Sequence, residues 1–154
     1  MGFDVYGLKP KINKEKPKTL NKYQDKDGWA QWDKMDDKDR DIYFKAQDEY
    51  HTSNPGVYFR SNIWWWRTLW EYTCDVCHDI LTTDEMSSGQ YNDGKKISKT
   101  KATKIAKALK KAETNGYLNE FESNVPKDSS YPFSVGVAIR FRKFIEESGG
   151  IEIC

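Results

Sequence analysis

The chain has 154 residues, enough for one domain with a real core. Aromatic residues make up 14% against 37% hydrophobic overall, so burial is concentrated in large rings. Lys plus Arg number 25 and Asp plus Glu 24, a balance that excludes the global charge of a dedicated polyanion binder; no apolar run reaches the length of a membrane span.

Charge is uneven along the chain. Residues 9–22 are basic, 25–49 are mainly acidic, and Lys95 to Lys111 holds eight lysines and no acid. The opening MGFDVYGLKPK has no apolar leader, and three cysteines fit a reducing compartment, so a cytoplasmic protein with free thiols is expected. That compartment is the host cytoplasm if the chain is phage-encoded.

GFDVYG alternates Phe3 and Val5 against Asp4 and Tyr6 and reads as a short strand. Residues 9–26, with two prolines and many lysines, read as a basic extended arm or loop. From Asp27 to Tyr50, Trp29, Trp32, Met35, Ile42, Tyr43, Ala46 and Tyr50 recur at helical steps, which predicts one amphipathic helix with Asp27 as its cap. HTSNPG ends it, and VYFR is a short strand or an extended approach to the next helix.

NPGVYFRSNIWWWRTLWEYTC places four tryptophans in seven positions. With Ser61 or Asn62 as cap, steps of about 100° put Trp65, Trp66, Leu69, Trp70, Tyr72, Cys74, Val76, Cys77, Ile80 and Leu81 on one broad apolar arc with Ile63. An arc that wide predicts a central helix covered on several sides. Trp64 falls outside it, beside Arg67, Thr68 and Glu71.

SSGQYNDGKK is a turn-rich loop. Ser98 caps a helix whose inward face is Ala102, Ile105, Ala106, Leu109 and Ala112, stopped by Gly116. NEFESNVPKDSSYPF reads as irregular. Ser134 caps a last helix to about Glu147, turned inward by Val137, Ala138, Phe141, Phe144 and Ile145, and Gly149-Gly150 ends it. IEIC is a terminal strand able to pair with FDVY. The expectation is an α+β fold in a single domain, 1–154, with about four helices around the Trp-rich one and a small sheet joining the chain's two ends.

MGFDVYG, NPGVYFRSNIWWWR and ESGGIEIC together resemble a family of small, mostly uncharacterised proteins encoded by tailed bacteriophages and some bacteria. The match covers about half of the chain. Members often carry a Cys-x-x-Cys ribbon between the last two helices; here NGYLNEFESNVPKDSSYPF contains no cysteine, so no zinc role transfers. The resemblance implies a phage context and no catalytic residues.

Several constellations carry chemistry. CDVCH (Cys74, Cys77, His78) has the spacing of haem attachment, and with His51 or Cys154 it offers a zinc set. Both cysteines fall on the apolar arc, where a thiol acts as a small hydrophobe, so no metal and no cofactor are expected. Glu71, Asp75 and His78 supply acid, base or metal-ligand chemistry for a small hydrolase or metal enzyme. The lysines from Lys95 to Lys111 make a nucleic-acid-binding accessory protein the first alternative, although most lie opposite the apolar face, as a solvated helix surface does. Lys95 and Lys96 differ in standing at a helix entrance, where an anion meets free backbone N–H groups.

The leading site is Trp64 with Arg67, Thr68 and Glu71, approached by Arg60 and Asn62: a ring that stacks, a forked cation and hydrogen-bonding groups on one face. The bland alternative packs Trp64 under the arm or first helix and pairs Arg67 with Glu71. The expected function is non-catalytic binding of a small anionic or nucleotide-like ligand or of a host protein, in a counter-defence role, with no membrane partner. The sequence carries no signal for an oligomeric state.

Overall fold

Alternation at the chain's start does build a strand, and its buried residues show why. In the computed structural model, which describes all residues from Met1 to Cys154, β1 (Gly2–Gly7) turns Phe3 and Val5 inward. It pairs antiparallel with β2 (Tyr58–Asn62) on one side and β4 (Ile151–Ile153) on the other. A third partner, β3 (Lys95–Ile97), pairs with β4, giving the order β2-β1-β4-β3. Phe59, Ile97, Ile151 and Ile153 join Phe3 and Val5 on the covered face. The expected pairing of the two chain ends is therefore the centre of the sheet, and the fold is α+β.

The chain forms two compact units, Met1–Lys11 with Pro55–Cys154, and Ile12–Asn54. In the larger unit, α3 (Ile63–Val76) begins at Asn62, whose side chain accepts from the Trp65 backbone N–H at 3.1 Å. Its core residues form a ring stack: Trp66 lies 5.1 Å from Phe3 at 14° and 5.5 Å from Trp70 at 11°, with Phe141 edge-on at 5.6 Å. The two buried indoles also satisfy their N–H groups, Trp66 donating to Gly89 O at 2.8 Å and Trp70 to Met86 O at 2.9 Å.

The helix is shorter than expected. It ends at Val76, so Cys77 to Leu81 lie in a turn, although Cys77 and Leu81 are still buried. Thr68, which falls on the polar side of the wheel, is also buried, as is Thr73 within the apolar arc. Thr73 donates to Leu69 O at 2.8 Å, and Thr68 donates to Pro132 O. Backbone acceptors make both hydroxyls compatible with a core.

Helices α5 (Lys99–Thr114) and α7 (Val135–Ser148) start at Ser98 and Ser134 as expected. Gly116 and Gly149 stop them with positive φ, 87° and 64°. Arg142, buried on α7, forks onto Glu113 of α5 at 2.7 and 3.0 Å and reaches Glu146 at 2.8 Å. That paired charge fastens two helices whose facing surfaces are otherwise apolar. Two short helices were not foreseen: α4 (Thr83–Ser88), which ends in the first residues of the expected SSGQYNDGKK loop, and α6 (Tyr117–Asn124), which runs into the stretch read as irregular. Thr82 and Glu85 form a reciprocal capping box at the first.

The smaller unit departs most from its sequence reading. The basic arm contains a helix, α1 (Lys18–Tyr23), whose Leu20 and Tyr23 are buried with Met35, Tyr43 and Ala46. The single helix expected from Asp27 is not formed. Asp25 accepts from the backbone N–H groups of Asp27 and Trp29, both at 2.9 Å, and Gly28 takes φ 88°. That turn diverts the chain, Trp32–Lys34 makes one 3₁₀ turn, and α2 runs Asp37–Ser53. Its cap is Asp36, which shares a capping box with Asp39. Local carboxylate-to-backbone bonds outweigh a continuous apolar period here. Asn54, fully buried, accepts from Asn13 N at 2.6 Å and Lys14 N at 2.9 Å, fastening the unit's two ends.

Candidate functional site

One face of α3 is left open by the sheet and borders a cleft of about 880 Å³. That volume falls within the range of small-molecule sites, roughly 300–1,000 Å³. Trp66, Trp70 and Phe121 supply its aromatic floor. Thr83, Met86 and Ser87 of α4, with Gln90 beyond it, form one wall. The opposite wall is Asn124, Val125, Pro126, Ser129 and Tyr131, at the end of α6 and in the loop after it. Both indole N–H groups are already bonded to backbone and both indoles are almost wholly buried, so the floor offers no donor and only the edges of Trp66 and Trp70 beside the Phe121 ring.

Arg67, Thr68 and Glu71 reach this cleft from α3. Trp64, 51% exposed, stands beside it, its ring 5.5 Å from Tyr131. The Arg67 guanidinium lies over the same Tyr131 ring at 5.8 Å. Arg67 and Glu71 are spaced for an ion pair and do not form one; neither has a charged partner. Tyr131 organises the mouth of the cleft, and its place between Trp64 and Arg67 is absent from local periodicity. Its one sequence signal is an aromatic set between Ser-Ser and Pro-Phe.

Thr68 has a structural part here. Its hydroxyl donates to Pro132 O and so anchors the loop that carries Tyr131, with Trp65 O at 3.2 Å as an alternative acceptor for the same proton. Glu122 secures the loop's far end by accepting from Val135 N at 2.8 Å.

The remaining expected residues stand elsewhere. Asn62 caps α3. Arg60 lies on strand β2 and pairs with Asp4 at 3.7 Å, with most of its side chain in solvent. Lys95 and Lys96 belong to strand β3, not to a helix entrance. Lys95 is held by Asp84, and Lys96 lies in register with Glu152. The Asp84 carboxylate beside Lys95 raises that ammonium's pKa.

Cys74 lines the cleft half-buried, Cys77 is enclosed, and burial pushes both thiols up to about 12. His78 is exposed, its Nδ1 2.9 Å from Asp75 O, while the Asp75 carboxylate takes the Tyr117 hydroxyl. Asp75 and His78 are thus engaged apart from the cleft residue Glu71. No group of three or more His, Cys, Asp or Glu side chains is arranged to hold a metal ion. No helix is long and apolar enough to cross a membrane.

No protein-family model matches the chain, and neither curated proteins nor solved structures give a significant match.

Proposed function

We propose that the protein is a non-catalytic, phage-type cytoplasmic binding protein whose α3 cleft takes a nucleotide-like small molecule, in a counter-defence role. One observation carries the ligand class: Arg67 lies over the ring of Tyr131, without a carboxylate partner, at the mouth of an aromatic-floored cleft. An unpaired guanidinium there suits an anion, and the rings suit a planar body joined to it. Sequestering a small signalling nucleotide is the action that a binding cleft without an assembled acid–base pair supports. Phage context rests on the likeness of the GFDVYG, WWWR and SGGIEIC segments to phage-encoded proteins.

The test is a thermal-shift screen of the purified protein against nucleotides and other small anions, since a ligand selective for the folded state must raise the melting temperature. A nucleotide should raise it in the wild type and fail to do so in Arg67→Ala. Arg67→Lys should not restore the shift, because an ammonium lacks the planar fork. In infected cells, Trp64→Ala and Arg67→Ala should abolish protection of the phage with the protein still folded. A host protein captured equally well by Arg67→Ala, with no nucleotide bound, would sink the small-molecule reading.

A further inference from the structure

We infer that the cleft selects a guanine nucleotide bearing a single phosphate, an inference that rests on the nucleotide reading above. The cleft is lined by one cation, Arg67, and one carboxylate, Glu71. Four residues apart on a helix, they would ordinarily close on one another. Instead Arg67 turns to Tyr131, and Glu71 keeps both oxygens unbonded. Each charge is thus left for a ligand, and a nucleotide offers matching chemistry at opposite ends.

Arg67 takes the phosphate. A guanidinium forks onto two phosphate oxygens, and with no lysine lining the cleft there is no second cation for the added charge of a diphosphate or triphosphate. Glu71 reads the base. An ionised carboxylate only accepts hydrogen bonds, so it demands an edge with two adjacent donors. Guanine presents N1–H beside its exocyclic amine. Adenine and cytosine set an acceptor next to their amine, and uracil flanks its one N–H with carbonyls, so each turns a lone pair toward the carboxylate. Tyr131, which lines the cleft with Trp64 packed against it, gives the base a ring to contact, a contribution blind to its identity.

The experiment is a titration of wild type, Glu71→Gln and Arg67→Ala with GMP, AMP, CMP, UMP, guanosine and GTP, read by melting temperature and by calorimetry. Wild type should bind GMP at least about tenfold more tightly than the other monophosphates, because a site built around a hydrogen-bonding edge rejects analogues that lack it. GTP should bind no more tightly than GMP. In Glu71→Gln the base preference should vanish with residual binding kept, since an amide presents a donor as well as an acceptor. In Arg67→Ala, GMP should bind no better than guanosine. Equal affinity for the four monophosphates would overturn the guanine assignment and leave the nucleotide reading standing. Tighter binding of GTP would overturn the single-phosphate assignment. Absence of binding by every nucleotide would overturn both readings together.

Discussion

Gly89 approaches the ring of Trp70 so closely that a Cβ at that position would lie 2.1 Å from Trp70 Cε2. The same residue's carbonyl receives the Trp66 indole N–H. Trp70 cannot retreat, because its other face stacks on Trp66 and its own N–H is fixed to Met86. Gly89→Ala should therefore destabilise through overpacking, by about 1–3 kcal/mol or more. Its backbone is ordinary right-handed helix, φ −66°, so conformational freedom is not the cause. A chemical-denaturation midpoint for Gly89→Ala equal to that of wild type would refute the packing described.

Trp66 and Trp64 separate core from site within one tripeptide. Trp66 is fully enclosed, with rings stacked on both faces. Trp66→Ala should cost about 3–5 kcal/mol, the range of large aromatic truncations in cores. Trp64 is half in solvent and touches Tyr131. Trp64→Ala should cost far less and act on ligand binding. Comparable melting temperatures for the two variants would remove the distinction.

That distinction was legible in the sequence, because Trp64 breaks the apolar arc; the same arc wrongly took in Trp65, which lies at its edge and is only half-buried, outside the core cluster. The strands from Gly2 and Ile151, and the helix starts at Asn62, Ser98 and Ser134, were legible for the same kind of reason: local alternation or a local cap decides them. What local pattern could not carry is partnership at a distance. Tyr131 meets Trp64 from 67 residues away in the numbering, through a loop with no period of its own. Thr68 looks solvent-facing until its backbone acceptor is known. The helix expected at Asp27 failed because the Asp25 side chain competes for the same backbone N–H groups. Lys95 and Lys96 read as a helix entrance because β3 is too short to show alternation.

Thiol reactivity offers a check on the buried end of α3. Burial, then the neighbouring Cys74 and Asp79 charges, pushes Cys77 up to about 12, and burial does the same for Cys74. At pH 8 both are neutral thiols, and the thiolate is the reactive form. Native protein treated with iodoacetamide at pH 8 should leave Cys77 unlabelled and Cys74 labelled slowly, with full labelling once denatured. Mass spectrometry reads the sites directly. Cys77 alkylated in native protein as fast as free cysteine would show that the residue is open to solvent.

Acid sensitivity should trace in part to Glu85. Burial alone would raise its pKa, but the Lys101 ammonium and the Thr82 capping bonds overcome this and hold it below its ordinary value. A carboxylate depressed in the folded state adds stability above its unfolded pKa, about 4.3, and loses it as pH falls through the folded value. The melting temperature of wild type should exceed that of Glu85→Gln by a constant margin near neutral pH. The margin should shrink below about pH 4 as both carry an uncharged side chain. A margin unchanged down to pH 2 would mean that the loss at Glu85 is packing and not charge.

The lysines of α5 decide between a solvated face and a nucleic-acid surface. Lys101 is drawn in by Glu85, but Lys99, Lys104, Lys107, Lys110 and Lys111 stand exposed with no carboxylate partner. Opposite them, Ala102, Ile105, Ala106, Leu109 and Ala112 are buried, so the charges fall where any amphipathic surface helix keeps its polar residues. Such a stripe attracts phosphates at low salt by releasing counterions, with no fixed register on the polymer. Binding to duplex or single-stranded DNA should accordingly be weak, indifferent to sequence and lost by about 150 mM salt, where charges farther apart than about 8 Å are screened. Fluorescence anisotropy across a salt series measures this, with Lys104→Glu combined with Lys107→Glu as the comparison. Tight binding that persists at 150 mM and disappears in the double variant would show that the lysines act together as a nucleic-acid surface, and the α3 cleft would then no longer be the leading site.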